Sequence, residues 1–336
     1  MHVPDGFLDV PTSVATGLAA AAVVSLALRR ADREIAETGP ALPGLTAAFV
    51  FAAQMVNFPV GAGTSGHLLG GALAAALVGP WTAVLVITAV LLVQALLFAD
   101  GGLTALGTNV VLMAVVGVLV GWLAARLALR LVRARRGVVP AAALGALLSV
   151  PAAALAFTAL YAIGGAVAIP LPRLAGAMLA WHAVIGVGEA LITAAVLGAV
   201  VATRPDLVHL TRHVRVREAA DGPPVRVVAG PRTLAVASAV TLAVAGGLSL
   251  LASGHPDGLE YVGESAGFAD AARDSALAAS PLADYAVAGL AVPWLSGSLA
   301  GVVGVLVTVG LGLTVAALVV GVRTRRATDA APQTTG

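Results

Sequence analysis

Long apolar runs alternate with short polar interruptions along this chain, and most of the runs are of membrane length. About 20 helical residues at 1.5 Å each cross a hydrocarbon core about 30 Å thick. By that measure the first predicted span is 11–28, closed by Arg29, Arg30 and Arg33, and the second is 41–60, which carries Gln54 and Asn57. Two apolar segments between Gly66 and Phe98 are split by Gly79-Pro80-Trp81. The first is short and predicts a short, tilted or partly re-entrant third span; 82–98 is the fourth. A fifth runs over 110–130 and ends in Arg130, Arg133, Arg135 and Arg136; the sixth lies within 140–168, and the seventh, within 176–201, carries His182 and Glu189. After an Arg-rich linker containing Gly222-Pro223-Pro224, an eighth span (234–251), a polar hairpin loop (253–285) and a ninth span within 286–322 follow.

The predicted fold class is an all-α polytopic integral membrane protein, a seven-helix bundle plus a two-helix module with an extracytoplasmic loop. The expected division is 1–202 for the seven-span domain, 203–232 for a cytoplasmic linker, 233–322 for the two-span module and 323–336 for a cytoplasmic tail. Orientation follows from arginine. With the N-terminus outside, 17 of the 19 arginines fall on or near the cytoplasmic side, only Arg173 and Arg273 lying in external loops, and the C-terminus is inside. A missed span would invert everything after it, so this asymmetry also tests the count. The predicted location is the cytoplasmic (inner) membrane.

Composition removes the soluble alternatives. Of 336 residues 59% are hydrophobic and 11% charged, against roughly 25% charged in a soluble domain. The 39 glycines and 18 prolines fit a membrane bundle, where small residues pack closely and neighbours satisfy freed backbone groups. Cysteine is absent, which excludes disulfides and thiolate metal sites. The net charge is +2, and the arginine clusters read as topology signals and not as a nucleic-acid surface. There is no GxxxxGK[ST] loop for ATP, no HExxH and no GxSxG elbow, so the chain is expected to perform no covalent chemistry of its own.

The candidate chemistry begins at the first residue. MHVPDGFLDVP has no basic n-region and no cleavage signature, so Met1 and His2 are expected to remain in the mature chain. The Met1 amine, the His2 backbone nitrogen and the His2 imidazole can close adjacent five- and six-membered chelate rings around one cation. Displacing an amide proton needs a strongly polarising late transition metal, and square-planar nitrogen ligation favours Ni(II) or Cu(II) over Zn(II) or Mg(II). A lone terminal histidine is a weak signal, but His67, in Gly63-Thr64-Ser65-Gly66-His67, opens the third span on the same predicted side and supplies a fourth nitrogen. Pro4-Asp5-Gly6-Phe7 reads as a turn with an apolar anchor that could fold the terminus back into the bundle. Asn57, Gln94 and Asn109 are candidate supporting groups or interhelical glue. Glu189, ionisable within a span, is a candidate for an ion route or a partner contact. Six acidic residues in the 253–285 loop, Asp257, Glu260, Glu264, Asp270, Asp274 and Asp284, could concentrate cations or simply form a solvated face.

These residues carry a resemblance. MHVPDGFLD, GTSGHLLGG (63–71), QALLFADGGLTALGTNV (94–110) and GEAL (188–191) are similar to motifs of the CbiM/NikM family, the substrate-capturing membrane subunits of energy-coupling-factor cobalt/nickel importers. SGHPDGLEYVGESAGF (253–268) resembles the loop of the small two-span partner CbiN/NikN, here fused in the same chain. The resemblance implies a near-square metal site from Met1, His2 and His67, with Asn57, Gln94 or Asn109 in support. It implies Ni(II) or Co(II) as transported substrate without an organic cofactor, and as partners a transmembrane coupling subunit, cytoplasmic ATPases and the lipid bilayer. The fused loop, with Asp257, Gly258 and Glu260, is expected to position the Met1 terminus or open the external entrance. The fused arrangement favours nickel. A membrane metal sensor or scaffold and an ion-coupled secondary carrier are the alternative readings.

Overall fold

The structure, a computed structural model, describes residues 1–132, 135–212 and 229–329. Arg133, the Gly222-Pro223-Pro224 part of the linker and the end of the predicted tail lie outside the described residues. The chain is a helical bundle. Helix α1 (Val10–Thr38) starts where the Asp9 carboxylate accepts the Thr12 N–H at 2.9 Å, with proline in its first turn, the position where a missing N–H costs nothing. Helix α2 (Ala41–Gln54) stops short of the predicted span end, and a small antiparallel hairpin follows, β1 (Phe58–Gly61) and β2 (Thr64–Gly66). Its turn residues Ala62 and Gly63 both have left-handed φ, 48° and 77°, the backbone twist that two-residue hairpins require.

The third span is the irregular one. Residues 67–70 are non-helical and buried, Gly70 having a left-handed φ of 81°, and only Gly71–Val78 (α3) is helical, with all eight of its residues buried. A helix of eight residues is well under the roughly 20 that cross a hydrocarbon core. Non-helical backbone at that depth survives only where protein satisfies it. Here the Leu69 and Gly70 N–H groups donate to the Glu189 carboxylate at 2.6 and 2.9 Å, and Gln54 donates to the Leu69 carbonyl at 2.9 Å.

Helix α4 (Pro80–Leu97) begins against α1, where the buried Glu34 carboxylate accepts the Thr82 N–H at 2.7 Å and its hydroxyl at 2.8 Å. Helix α5 runs through Leu106–Asn109, a π-helical stretch Val110–Gly117 and Val118–Val132. A Cβ on Gly71 would stand 2.9 Å from the Gly117 carbonyl carbon, so α3 packs backbone to backbone against the widened turn, as small residues permit in membranes. Helices α6 (Val138–Gly164) and α7 (Leu171–Thr203) pair closely. The second module supplies α8 (Pro231–Gly246), α9 (Gly258–Ala266) and α10 (Pro293–Asp329); α10 lies along α2 and closes the bundle, and it continues past the predicted span end at 322.

Among the described residues seven helices are long and apolar enough to span a membrane; α2 and α3, at the two remaining predicted spans, are shorter than that. Leu119, Leu123, Leu127 and Leu131 form an exposed stripe at i, i+4, i+8 and i+12 of α5, an apolar outer face that suits lipid and not water.

The 253–285 segment is not the polar hairpin loop expected. Leu259, Val262 and Phe268 are fully buried, and α9 lies over the end of the bundle where the chain begins. The apolar positions recur at helical spacing behind Asp257, which N-caps α9 in a reciprocal capping box with Glu260. Of the six acidic residues, all but the buried Asp257 do face outward.

Candidate metal centre

The first nine residues are threaded into the bundle end. The buried Asp5 carboxylate accepts the N–H groups of Leu103, Thr104 and Ala105 at 3.1, 2.7 and 3.3 Å, together with the Thr104 hydroxyl. Hydrogen bonds to a charged acceptor are worth about 1.5–3 kcal/mol each, so this cluster is a strong anchor. Asn109 holds Val3 from both sides, accepting its N–H at 2.7 Å and donating to its carbonyl at 3.1 Å. Phe7 packs edge-on against Phe268 of the second module at 5.0 Å, and the Ala166 N–H donates to the Phe7 carbonyl at 3.0 Å.

This anchoring brings Met1 and His2 to His67. The Met1 nitrogen, on a residue only 3% exposed, touches His67 Nε2 and pairs with the Asp257 carboxylate at 2.7 Å. The His2 ring stacks on the His67 ring at 4.9 Å and 18°. His67 places Nδ1 against the Leu68 carbonyl at 3.0 Å; donation there fixes the proton on Nδ1 and leaves the Nε2 lone pair toward the amine. Both His2 nitrogens are engaged, Nδ1 with Asp100 at 3.3 Å and Nε2 with the Gln94 side-chain carbonyl at 3.2 Å. A cavity of about 510 Å³ reaches this point, lined among others by His2, His67, Asp100, Asp257, Glu260 and Tyr285.

Burial pushes the His2 imidazole down to about 4, the nearby Asp100 carboxylate pulling the other way, so it is uncharged and ligand-competent at neutral pH. Burial by itself would raise the Asp257 carboxyl, but the Met1 ammonium and His67 hold it well below the usual carboxylate range. Burial also pushes the Tyr285 hydroxyl well up, with Asp100 adding to the effect, and it keeps its proton.

The other sequence candidates divide. Gln94 and Asn109 touch the terminal segment directly. Asn57 enters through its backbone carbonyl, which accepts the Ser253 N–H at 2.8 Å and ties the second module to the hairpin. Gly258 lies against Ile185 and His182, and Glu260 sits in the α9 cap and the cavity wall. Glu189 does not reach the cavity: its two oxygens clamp the non-helical segment that carries His67. Glu189→Gln puts an amide NH₂ against a backbone N–H and leaves one buried donor unpaired, a cost of about 1–3 kcal/mol. We expect a melting temperature lower by several degrees; a wild-type thermal melt would show that the clamp does not hold the segment around His67.

Asp100, Tyr285 and the anchoring role of Asp5 escape sequence reasoning. Asp100 and Tyr285 mark the ends of predicted spans and loops, positions at which polar residues are ordinary. Among the described residues no three histidine, aspartate or glutamate side chains are grouped to hold an ion. The Met1 amine and the His2 backbone nitrogen are the further nitrogen donors at this point.

Comparison with known proteins gives this geometry its context. Residues 2–207 match the family described as the cobalt uptake substrate-specific transmembrane region, and residues 231–321 match the PDGLE domain, whose five letters stand here as Pro256 to Glu260. A putative metal transport protein of Haloquadratum walsbyi is 40% identical over 211 residues, covering 62% of this chain and 93% of that one. A putative fused nickel transport protein, NikMN, of Archaeoglobus fulgidus is 38% identical over 208 residues, 62% of this chain and 68% of that one. A solved transition metal transporter superposes with a TM-score of 0.55 at 30% identity, over 65% of this chain and 100% of the other. With the family matched over well more than half its length, the chain belongs to the CbiM family of cobalt/nickel transport membrane proteins and carries a CbiN-like PDGLE domain fused behind it.

Proposed function

We propose that this protein is the substrate-specific membrane component of an ATP-driven transition-metal importer, capturing Ni(II), or Co(II), outside the cell. The observation that carries this reading is the buried Met1 amine held against His67 Nε2 with the His2 ring stacked alongside. The Met1 amine, the His2 backbone nitrogen, His2 Nδ1 and His67 Nε2 are the four donors. Only Nδ1 of His2 closes the six-membered ring with its own backbone nitrogen. A divalent ion bound to one deprotonated amide keeps one positive charge, and Asp257 and Asp100 stand beside the donors to balance it in a poorly solvated site. Square nitrogen ligation favours nickel.

The fused module acts at this site: Asp257 draws the terminus into place, and the loop containing Gly258 and Glu260 forms part of the cavity through which the ion arrives. A transmembrane coupling subunit and cytoplasmic ATPases supply the energy, with the N-terminus outside and the arginine-rich ends inside the cytoplasmic membrane; the distribution of 17 of 19 arginines supports that orientation. Glu189, the residue an ion-coupled carrier would use, is occupied by two backbone N–H groups, which supports the importer reading.

His2→Ala and His67→Ala should each lower Ni(II) affinity by more than about a hundredfold and abolish the ligand-field band of the purified protein, since direct ligands matter more than the groups that orient them. In cells, uptake should stop when a partner ATPase is inactivated. Metal binding indifferent to both histidines would refute the site, and uptake that continues without ATPase would refute the importer.

A further inference from the structure

The cavity beside the nitrogen donors is far larger than a bare ion needs, and its wall is rich in acceptors. It measures about 510 Å³ and is lined by Asp100, Asp257, Glu260, Asp274 and Asp284, with Arg273 as the one arginine among the described lining residues. Asp257 is paired with the Met1 amine, and Asp100 takes the Tyr285 hydroxyl at 2.5 Å. Glu260, Asp274 and Asp284 make no ion pair with a described residue. Gln54 adds a neutral acceptor. Only 4% exposed, it donates through Nε2 to the Leu69 carbonyl at 2.9 Å. A carbonyl only accepts, so the amide cannot turn over. Oε1 is left in the cavity wall, buried and without a hydrogen-bond partner among the described residues. An unpaired buried acceptor is costly, and this one calls for a donor that the protein does not supply.

We propose that this cavity is a second cation site, an antechamber that holds the divalent ion with its water shell intact before the nitrogens replace the waters. Among the described residues no three histidine, aspartate or glutamate side chains are grouped to hold an ion, so the wall offers no direct oxygen cage. Acceptors spread around a volume of this size suit a hydrated ion instead. Every water on a cation turns its protons outward, so the aqua ion is a donor on all sides and needs acceptors alone. Six waters at about 30 Å³ each fill about 180 Å³, which leaves room for a further layer towards the wall. Gln54 Oε1 accepts from that shell, and the unpaired carboxylates balance the charge. Contacts through water read only charge and size, and the aqua ions of Mg(II), Mn(II), Co(II) and Ni(II) are alike in both. The antechamber is therefore unselective, and the choice among metals falls to the nitrogens, whose reading as the capture site this inference presupposes.

The test uses the full chain carrying His2→Ala and His67→Ala, which disables the nitrogen site, and Mn(II) as the probe, with free and bound ion counted by electron paramagnetic resonance. One Mn(II) should bind per chain, and both Mg(II) and hexaamminecobalt(III) should displace it. The cobalt complex does not exchange its ligands, so it competes only where contact is made through the outer shell. Adding Asp274→Asn and Asp284→Asn to this background should raise the Kd for Mn(II) about tenfold, and adding Gln54→Leu instead should raise it severalfold. Glu264→Gln with Asp270→Asn is the control: both are exposed acids of the same module outside the cavity lining, and the Kd should stay as it was. Absence of Mn(II) binding, a bound Mn(II) that hexaamminecobalt(III) leaves in place, an unchanged Kd in the aspartate pair or in Gln54→Leu, or equal weakening by the control pair would overturn the proposal. Failure of the unsubstituted chain to bind Ni(II) would sink the proposed function and leave the Mn(II) result standing.

Discussion

Two extra residues ahead of Met1 are expected to lower Ni(II) affinity by at least about a thousandfold while leaving every side chain in place. The Met1 residue is 3% exposed, and its nitrogen is enclosed by His67 and Asp257, the latter at 2.7 Å. An extension converts the amine into an amide, which removes one chelating donor and the positive end of a buried ion pair. The lost donor is what lowers the affinity, and about 4 kcal/mol from one chelating nitrogen is already a thousandfold. Titration calorimetry and metal analysis on the extended protein are the measurements, with far-UV circular dichroism to confirm that the helices persist. Tight binding by the extended chain would remove the amine from the ligand set.

Gly102→Ala should have the second largest effect, though Gly102 is not among the proposed ligands. Its N–H donates to the Val3 carbonyl at 2.9 Å, and a Cβ there would overlap the Asp5 backbone nitrogen and carboxylate. The obstacle is backbone held by the N–H groups of residues 103–105, so it cannot swing aside as a flexible side chain would. The terminal segment must leave its seat, taking Met1 and His2 with it. We expect Ni(II) affinity to fall about a hundredfold, with thermal stability reduced by a few degrees as the Asp5 bonds are lost. Gly176→Ala is the control, because a Cβ there meets nothing within 4 Å on an ordinary helical backbone. Normal binding by Gly102→Ala would mean that the terminus does not need this seat.

Both predictions depend on contacts whose partners are distant in sequence, and this is also where reading the sequence stopped. The apolar runs were legible because lipid imposes one rule on every residue that faces it, and seven of the helices follow it directly. The third span was legible only as too short: its non-helical start is held because Glu189 lies opposite the Leu69 and Gly70 N–H groups, and nothing local in GTSGHLLGG announces that partner. Glu189 itself looked like an ion-route residue, since an ionisable group in a span suggests one; its two backbone donors come from residues about 120 positions away. The 253–285 segment reads as a loop because its six acidic residues interrupt every apolar run, although Leu259 and Val262 behind an Asp257 cap carry the helical signal.

By itself, then, the sequence determined the class of the protein, the membrane spans and the candidates Met1, His2 and His67, because hydropathy, arginine asymmetry and chelate-ring size are local properties. Only the tertiary structure decided that the terminus is pinned by Asp5 and Asn109, that the fused module reaches the amine through Asp257, and that Tyr285 bonds to the two side chains flanking the His2 ring. Those contacts join residues roughly 100 to 260 positions apart. Their geometry is set by how helices pack in three dimensions, which no window along the chain contains.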